Sequence, residues 1–498
     1  MSRLAKNISA NLLSNAWATV LSLALTPVYL RTLGIESFGV IGLYMSMTAL
    51  MGVLDTGISA TAVREIAWLS ARPDERTKVP SLLRSLEIAY WGMLIPCGAI
   101  LLIAVSWYGA DWFRSASLPG ELIRQAMVLM VVALVAQVPS GLYNAALIGL
   151  QKQVQCAGLI TAFGTVRGIG AALTVSFVAQ DVRAFFAWQL CTSLVQTFVT
   201  RRSAFRAIGN GQQPGHFSFE ALHSVKRYAG GMTVLTALSL ILNQADKVIV
   251  SRLVSLESLG FYMLASTVAS GLSRIATPLI QAFGPHLTEL VSRGDEQMLA
   301  RQARTASQVM SVLVLPPAAL IALHPEEILF AWTGDAAIAA GAAPILAILT
   351  VGTALVASSY PPLSIVYSRG RLRPVILLNV VAVLGLIPLL VFAARSSGPI
   401  GAALCWALFG IVTYVAYLAF GLKGLPGAGV ADSMLRDFAA PAAASIAVAV
   451  VAGQALPVPA GRLWIAAVVG IAVVVGWVAS LLSCRQLSVT ALRTFRWR

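Results

Sequence analysis

A chain of 498 residues is long enough for three soluble domains, but 58 % of it is apolar and only 11 % charged, where an ordinary globular protein has about a quarter of its residues charged. That is a membrane composition. The formal net charge of +15 raises the question of a nucleic-acid partner, which the placement of the basic residues answers below.

An apolar run of about 20 residues crosses the hydrocarbon core as a helix. Fourteen such runs lie between short polar breaks, near 10–30, 38–60, 86–108, 125–148, 155–178, 184–200, 228–250, 259–283, 307–331, 342–366, 374–394, 400–421, 438–457 and 463–483. Hydrocarbon offers the backbone no hydrogen-bond partner, so runs this continuous are expected to be helices and not barrel strands. The opening "MSRLAKN" stands where the charged start of a signal peptide would, but the run behind it ends in "TPVYLRTLG" without a small-x-small cleavage site; it counts as span 1.

With the N-terminus inside, 25 basic residues fall in cytoplasmic segments, only seven fall outside, and Arg167, Lys247 and Arg274 fall within spans. This is the positive-inside pattern: it places both termini in the cytoplasm, turns the basicity toward anionic lipid, and makes nucleic acid an unnecessary partner. The five cysteines, Cys97, Cys156, Cys191, Cys405 and Cys484, lie in or beside spans without metal-like spacing and read as packing residues.

The stretch "RTLGIESFG" at 31–39 is echoed 221 residues later by "RLVSLESLG" at 252–260, with four of nine positions identical. About one in fifteen would match by composition. The same offset carries Leu142 onto Leu363, Gly149 onto Gly370, Lys152 onto Arg373 and Gly164 onto Gly385. An all-α polytopic protein of about 14 transmembrane helices follows, built as two parallel six-helix bundles plus two C-terminal helices. The expected divisions are an N-terminal lobe at 1–200, a cytoplasmic linker at 201–227, a C-terminal lobe at 228–422, and the last two helices with a basic cytoplasmic tail at 423–498. The repeated stretch itself reads as a tight outer connection in each half, with Arg31 and Arg252 at the outer interface.

No phosphate-cradling loop, paired-histidine metal motif, nucleophile elbow or zinc-spaced cysteine pair occurs, and the four histidines form no cluster. No cofactor is expected, and neither an ATP-driven pump nor a hydrolase. The informative residues are charges inside the membrane, each costing about 2.5–3.5 kcal/mol at a helix centre. Arg167, in "AFGTVRGIG", adjoins a small-x3-small face of Gly164 and Gly168; it reads equally as a cationic cavity residue or as an internally paired one. Arg274, in "ASGLSRIATPLI", lies close to the centre of span 8 and reads as a cavity residue. In "LNQADKVIV", Lys247 reads as a local interfacial pair, and Asp246, with Asn243 one turn earlier, as a coupling or gating candidate. Asp55, near the inner end of span 2, either lines the cytoplasmic mouth or bonds nearby backbone and basic groups.

"TPVYLRTLGIESFGVIGLY" followed by "LDTGISATAVREIA" resembles the N-terminal signature of bacterial oligosaccharide flippases, the O-antigen-type translocases of the multidrug/oligosaccharidyl-lipid/polysaccharide exporter superfamily. The resemblance continues in "VPSGLYNAALIGLQKQ", "NQADKVIVSRLVSLESLGFY" and "EEILFAWTG" and spans most of residues 7 to 420. It implies a MATE-like fold and a carrier, not an enzyme, in a bacterial inner membrane. Its substrate would be a polyprenyl-diphosphate-linked oligosaccharide moved to the outer leaflet by alternating access, with membrane lipid, polysaccharide polymerase and glycosyltransferases as partners. It further implies that Arg274, with Arg167 as an additional candidate, holds the diphosphate. A pattern of several cavity arginines on spans 1 and 2 is not met, because Arg31 and Arg64 lie at span ends. Three other readings remain: a multidrug or cation antiporter of the same fold, which wants a deep carboxylate; a peptidoglycan lipid-precursor flippase; and a polysaccharide polymerase or acyltransferase, which wants sizeable outer loops.

Overall fold

The structure is a computed structural model that describes residues 3–72, 74–209, 216–217, 230–427, 429–456 and 461–484. The linker at 201–227 thus falls largely outside the described residues, and the basic tail from Arg485 does so entirely.

The described residues fold into helices: α1 (Arg3–Ser70), α2 (Val79–Trp112), α3 (Gly120–Gln137), α4 (Pro139–Gly149), α5 (Gln153–Leu173), α6 (Val182–Ile208), α7 (Gly230–Leu253), α8 (Leu256–Arg293), α9 (Glu296–Leu323), α10 (Pro325–Thr333), α11 (Ala336–Ser358), α12 (Tyr360–Ser368), α13 (Leu372–Leu422), α14 (Val430–Ser433), α15 (Ala440–Gly453) and α16 (Arg462–Ser483). Ten stretches among them are long and apolar enough to cross a membrane. Two are double: α1 is broken at Gly34 (φ 79°, ψ 171°) and α13 at Gly398 (φ 58°, ψ −142°), backbone that only glycine adopts without strain. With both halves of α1 and α13, and with α6 and α7, the described residues supply the 14 helical segments that the apolar runs require. Where a helix starts at an aspartate, the side chain caps it: Asp181, Asp295 and Asp335 accept from Arg183 N, Met298 N and Ile338 N.

The helix breaks obey the sequence repeat. The Gly34 break corresponds, at an offset of 221, to the junction between α7 and α8; Val138 between α3 and α4 corresponds to Ser359 between α11 and α12. The π-helical turn Thr174–Val178 after α5 corresponds to the Gly398 break. Pro96 in α2 likewise falls on Pro317 in α9. A shared offset of breaks, independent of side-chain identity, is what two copies of one six-helix bundle produce.

By packing, the chain divides into Met1–Gly260 and Phe261–Arg498. In the first unit, Ile66 of α1, Leu83, Leu86 and Tyr90 of α2, Leu142, Tyr143 and Leu147 of α4 and Ala204 of α6 make one buried cluster. The repeated stretch has a defined role there. A Cβ on Gly39 would lie 2.9 Å from Leu256 O and 3.0 Å from Gly260 N, and one on Gly260 would collide with Ile35 O. The two glycines of the duplicate therefore face each other where α1 and the start of α8 cross, backbone against backbone. Around them, Arg252 Nη1 donates to Asp111 O (2.8 Å) and Trp112 O (3.1 Å), capping α2, and Leu256 N donates to Arg114 O at 2.8 Å.

In the second unit, Leu272 and Ala276 of α8 pack with Met310 and Val314 of α9 and Ala354 of α11. The last two spans dock on α9: Leu320, Ala449 and Ala472 share a cluster, Trp477 Nε1 donates to Leu313 O at 3.3 Å, and Ser445 and Ser480 hydroxyls bond at 2.9 Å. The cysteines are all free; Cys156, Cys405 and Cys484 are buried and Cys97 is partly so, but Cys191 is exposed on α6 and does not pack against protein as expected.

Candidate functional site

Arg274 lies midway along α8, a helix of 38 residues, so its Cα is about 27 Å from either end at 1.5 Å per residue. Its side chain is exposed, and it makes no hydrogen bond or ion pair among the described residues. The helix explains the exposure. Ala265, Ala269, Leu272, Ala276, Leu287 and Leu290 are buried in a stripe of helical period, which leaves Thr267, Ser270, Arg274, Thr277 and Gln281 within about 80° of one another on the opposite side. Hydrocarbon would favour leucine and valine on such a face. Hydroxyls, an amide and a guanidinium fit a face that meets water or a polar ligand instead.

Arg167 belongs to the first unit and is held differently. From α5 its Nη2 donates to Gln196 Oε1 at 2.6 Å and to Ser193 Oγ at 3.4 Å, both on α6, while its Nε–H is buried without a partner. Tyr44 of α1 lies close by, with its hydroxyl donating to Gln137 Oε1 at 3.1 Å. The partners that hold the guanidinium are thus a neutral amide and a hydroxyl, so its positive charge is positioned without being cancelled. Gly168 admits α1 closely, since a Cβ there would lie 2.8 Å from Leu25, and Tyr29 donates to its carbonyl at 2.8 Å. Gly164, by contrast, faces open space.

The other expected residues do not converge. Lys247 Nζ lies 3.2 and 3.3 Å from the Asp246 carboxylate oxygens and 2.9 Å from Asn243 O, so the buried Asp246 carries a local ion pair. Asn243, although one turn away, is exposed, and its amide donates to Ser239 O at 2.6 Å. Asp55 sits in α1, but its side chain lies outside the described residues. No group of three or more His, Cys, Asp or Glu that could hold a metal occurs among the described residues.

Three buried acids went unremarked in the sequence: Glu87, Glu36 and Asp437. Glu87, one residue inside span 3, accepts from Tyr143, Arg84 and Arg201. The repeat offered a signal for it, because Glu87 falls on Gln308, which is also buried and donates to Asp437 Oδ1 at 2.8 Å. Glu36, inside the duplicated stretch, accepts from Ser115 Oγ (2.8 Å), Ala116 N (3.0 Å) and Ser117 N (3.2 Å), and so pins the loop between α2 and α3 against α1. Its counterpart Glu257 is exposed, so identity of sequence did not carry identity of role.

Among solved structures, the fold is similar to a lipid II flippase MurJ in an inward closed conformation, with a TM-score of 0.72 and 14 % identity, over 97 % of this chain and 99 % of that one. It is also similar to an inward-facing multidrug resistance MATE family transporter of the MOP superfamily, with a TM-score of 0.66 and 14 % identity, over 82 % of this chain and 93 % of that one. In sequence, the chain is 24 % identical over 410 residues to a Shigella flexneri protein named "Putative O-antigen transporter", covering 81 % of this chain and 94 % of that protein. Residues 4–291 match the family described as "Polysaccharide biosynthesis protein". That match takes in more than half of the sequence, and this multi-pass membrane protein belongs to the polysaccharide biosynthesis family of transporters.

Proposed function

We propose that the protein flips a polyprenyl-diphosphate-linked oligosaccharide from the cytoplasmic to the outer leaflet of a bacterial inner membrane, by alternating access, with both termini in the cytoplasm. The observation that carries this reading is Arg274: an exposed guanidinium without a protein partner among the described residues, on a polar face at the middle of a 38-residue helix. A charge in that position is costly unless something else meets it. A diphosphate does so, through charge-assisted and often bidentate hydrogen bonds that arginine forms and that hydrocarbon cannot replace. Arg167 adds a second uncancelled charge in the first unit, and the hydroxyls and amide flanking Arg274 suit the glycan side of the same ligand. The family and the Shigella flexneri relative point to the same class of substrate. A cation antiporter is less well supported, because the best-placed acid, Asp246, is already paired with Lys247. Glycosyltransferases that assemble the glycan and a polymerase that consumes it are the expected neighbours of the reaction.

The test is surface display of glycan in a deletion host complemented with Arg274→Ala or Arg274→Lys. The alanine variant is expected to insert normally yet lose display by at least about tenfold, with the lipid-linked precursor accumulating inside, and lysine to restore part of it. Normal display by Arg274→Ala would overturn the reading.

A further inference from the structure

A second cationic arrangement stands at the far end of the first unit from the duplicated stretch. The Glu87 side chain is only 5 % exposed and accepts from Arg84 Nη1 at 2.5 Å, Arg201 Nε at 2.5 Å and the Tyr143 hydroxyl at 2.6 Å. Three helices, α2, α4 and α6, thereby converge on one carboxylate. The acid is consumed by these bonds, but the arginines are not. Arg84 and Arg201 remain 44 % and 43 % exposed, and a guanidinium has five N–H donors, more than either gives to Glu87. Arg201 also lies 4.9 Å over the Phe205 ring, which restricts its swing. Two guanidinium groups against one carboxylate leave a positive excess. Arg202 and Arg206 add to it, exposed on the neighbouring face of α6, with no hydrogen bond or ion pair among the described residues.

The depth of the cluster selects its ligand. At 34 residues α2 is about 50 Å long, well beyond a hydrocarbon core of about 30 Å, so its first turns project into the headgroup region. Arg201 begins the polar end of α6 directly below the exposed Leu194, Val195 and Phe198, which mark its lipid-facing apolar surface. Pinned, half-exposed donors at the level of lipid phosphates, next to a lipid-facing surface, match a phosphate group on an acyl or prenyl chain.

We propose that Arg84 and Arg201, held by Glu87 and Tyr143, form a capture site for a phosphate-bearing lipid headgroup at the inner face of the membrane. The site is distinct from Arg274, and it rests on the flippase reading only in that the substrate's diphosphate is one of two sources of such a headgroup, the other being an anionic phospholipid.

The test counts bound lipid by native mass spectrometry on the full chain released from nanodiscs, with a sugar-free polyprenyl diphosphate and phosphatidylglycerol as separate probes. Arg84→Gln/Arg201→Gln is expected to lower occupancy of at least one probe about tenfold, and Arg84→Lys/Arg201→Lys to lower it less. Loss confined to the polyprenyl diphosphate assigns the site to substrate; loss confined to phosphatidylglycerol assigns it to bulk lipid. Unchanged occupancy of both probes overturns the proposal. Should the double variant fail to fold, Arg84→Gln alone is read instead, since Arg84 gives Glu87 a single bond. Glycan display by Arg274→Ala, measured alongside, tests the transport reading by itself, so the capture site and that reading can fail separately.

Discussion

Arg167 shows how a buried charge can be assigned to function or to stability. Its guanidinium is taken out of water, held by Gln196 and Ser193, and left with an unpartnered Nε–H. Such a group weakens the fold relative to an apolar residue of similar length, because desolvation exceeds what a neutral amide and a hydroxyl return. If the residue served packing, Arg167→Met would cost stability. If it serves a ligand, the same substitution leaves the melting temperature unchanged or raised, while glycan export falls at least about tenfold. Thermal unfolding in detergent and surface-glycan quantification, run on one variant, separate the two roles. Glu87 gives the opposite contrast. Removing it as Glu87→Leu strips the acceptor from Tyr143 and two arginines, and is expected to cost about 1–3 kcal/mol, discounted because both arginines can turn to water; a fall in melting temperature without any change in insertion would register it.

At the scale of elements, the duplicated stretch is a crossing and not only a turn. Gly260→Ala would drive a methyl group into the backbone of α1 at Ile35 O, which cannot swing away as a side-chain end can. Overpacking of this kind costs about 1–3 kcal/mol. Gly271→Ala, on the same helix with nothing within 4 Å, is expected to be neutral or slightly stabilising. A melting temperature for Gly260→Ala equal to that of Gly271→Ala would show that the crossing is not close-packed. The sequence disclosed this element well and its contacts poorly. Span positions are local, since each apolar run is long enough to declare itself, and the 221-residue offset is visible because both copies keep the same break points. Arg274 was legible for the same reason: one charge in an apolar run needs no partner to be noticed. The Glu87 cluster was not, because its members lie 56 and 114 residues apart and only packing brings α2, α4 and α6 together. Glu36 was hidden in the opposite way, its identity with Glu257 suggesting a shared role that the α2–α3 loop gives to one copy alone.

For the molecule as a whole, the contacts of the first unit bear on topology without reference to charge. The Gly34 break of α1, the end of α2 at Trp112 and the junction of α7 with α8 are gathered by Arg252, Leu256 and the facing glycines. The start of α2, the middle of the short α4 and the end of α6 are gathered by Glu87 with Tyr143 and Arg201. Helices that traverse alternately must sort their ends in this way, onto two opposite faces. The second face carries Arg64, Arg72, Arg76, Lys78, Arg84, Arg201, Arg202 and Arg206, and under the proposed orientation, which rests on the positive-inside bias, it is the face turned to the cytoplasm. Ala116, exposed in the α2–α3 loop, and Asp74, exposed before α2, then lie on opposite sides of the membrane. Labelling with a membrane-impermeant maleimide tests this directly, with the parent protein and its exposed Cys191 as baseline. Ala116→Cys is expected to react in intact cells and Asp74→Cys only after permeabilisation. The reverse pattern would invert the protein in the membrane, turn Arg84 and Arg201 to the outer leaflet, and remove the physical basis for capture of a lipid made on the cytoplasmic side.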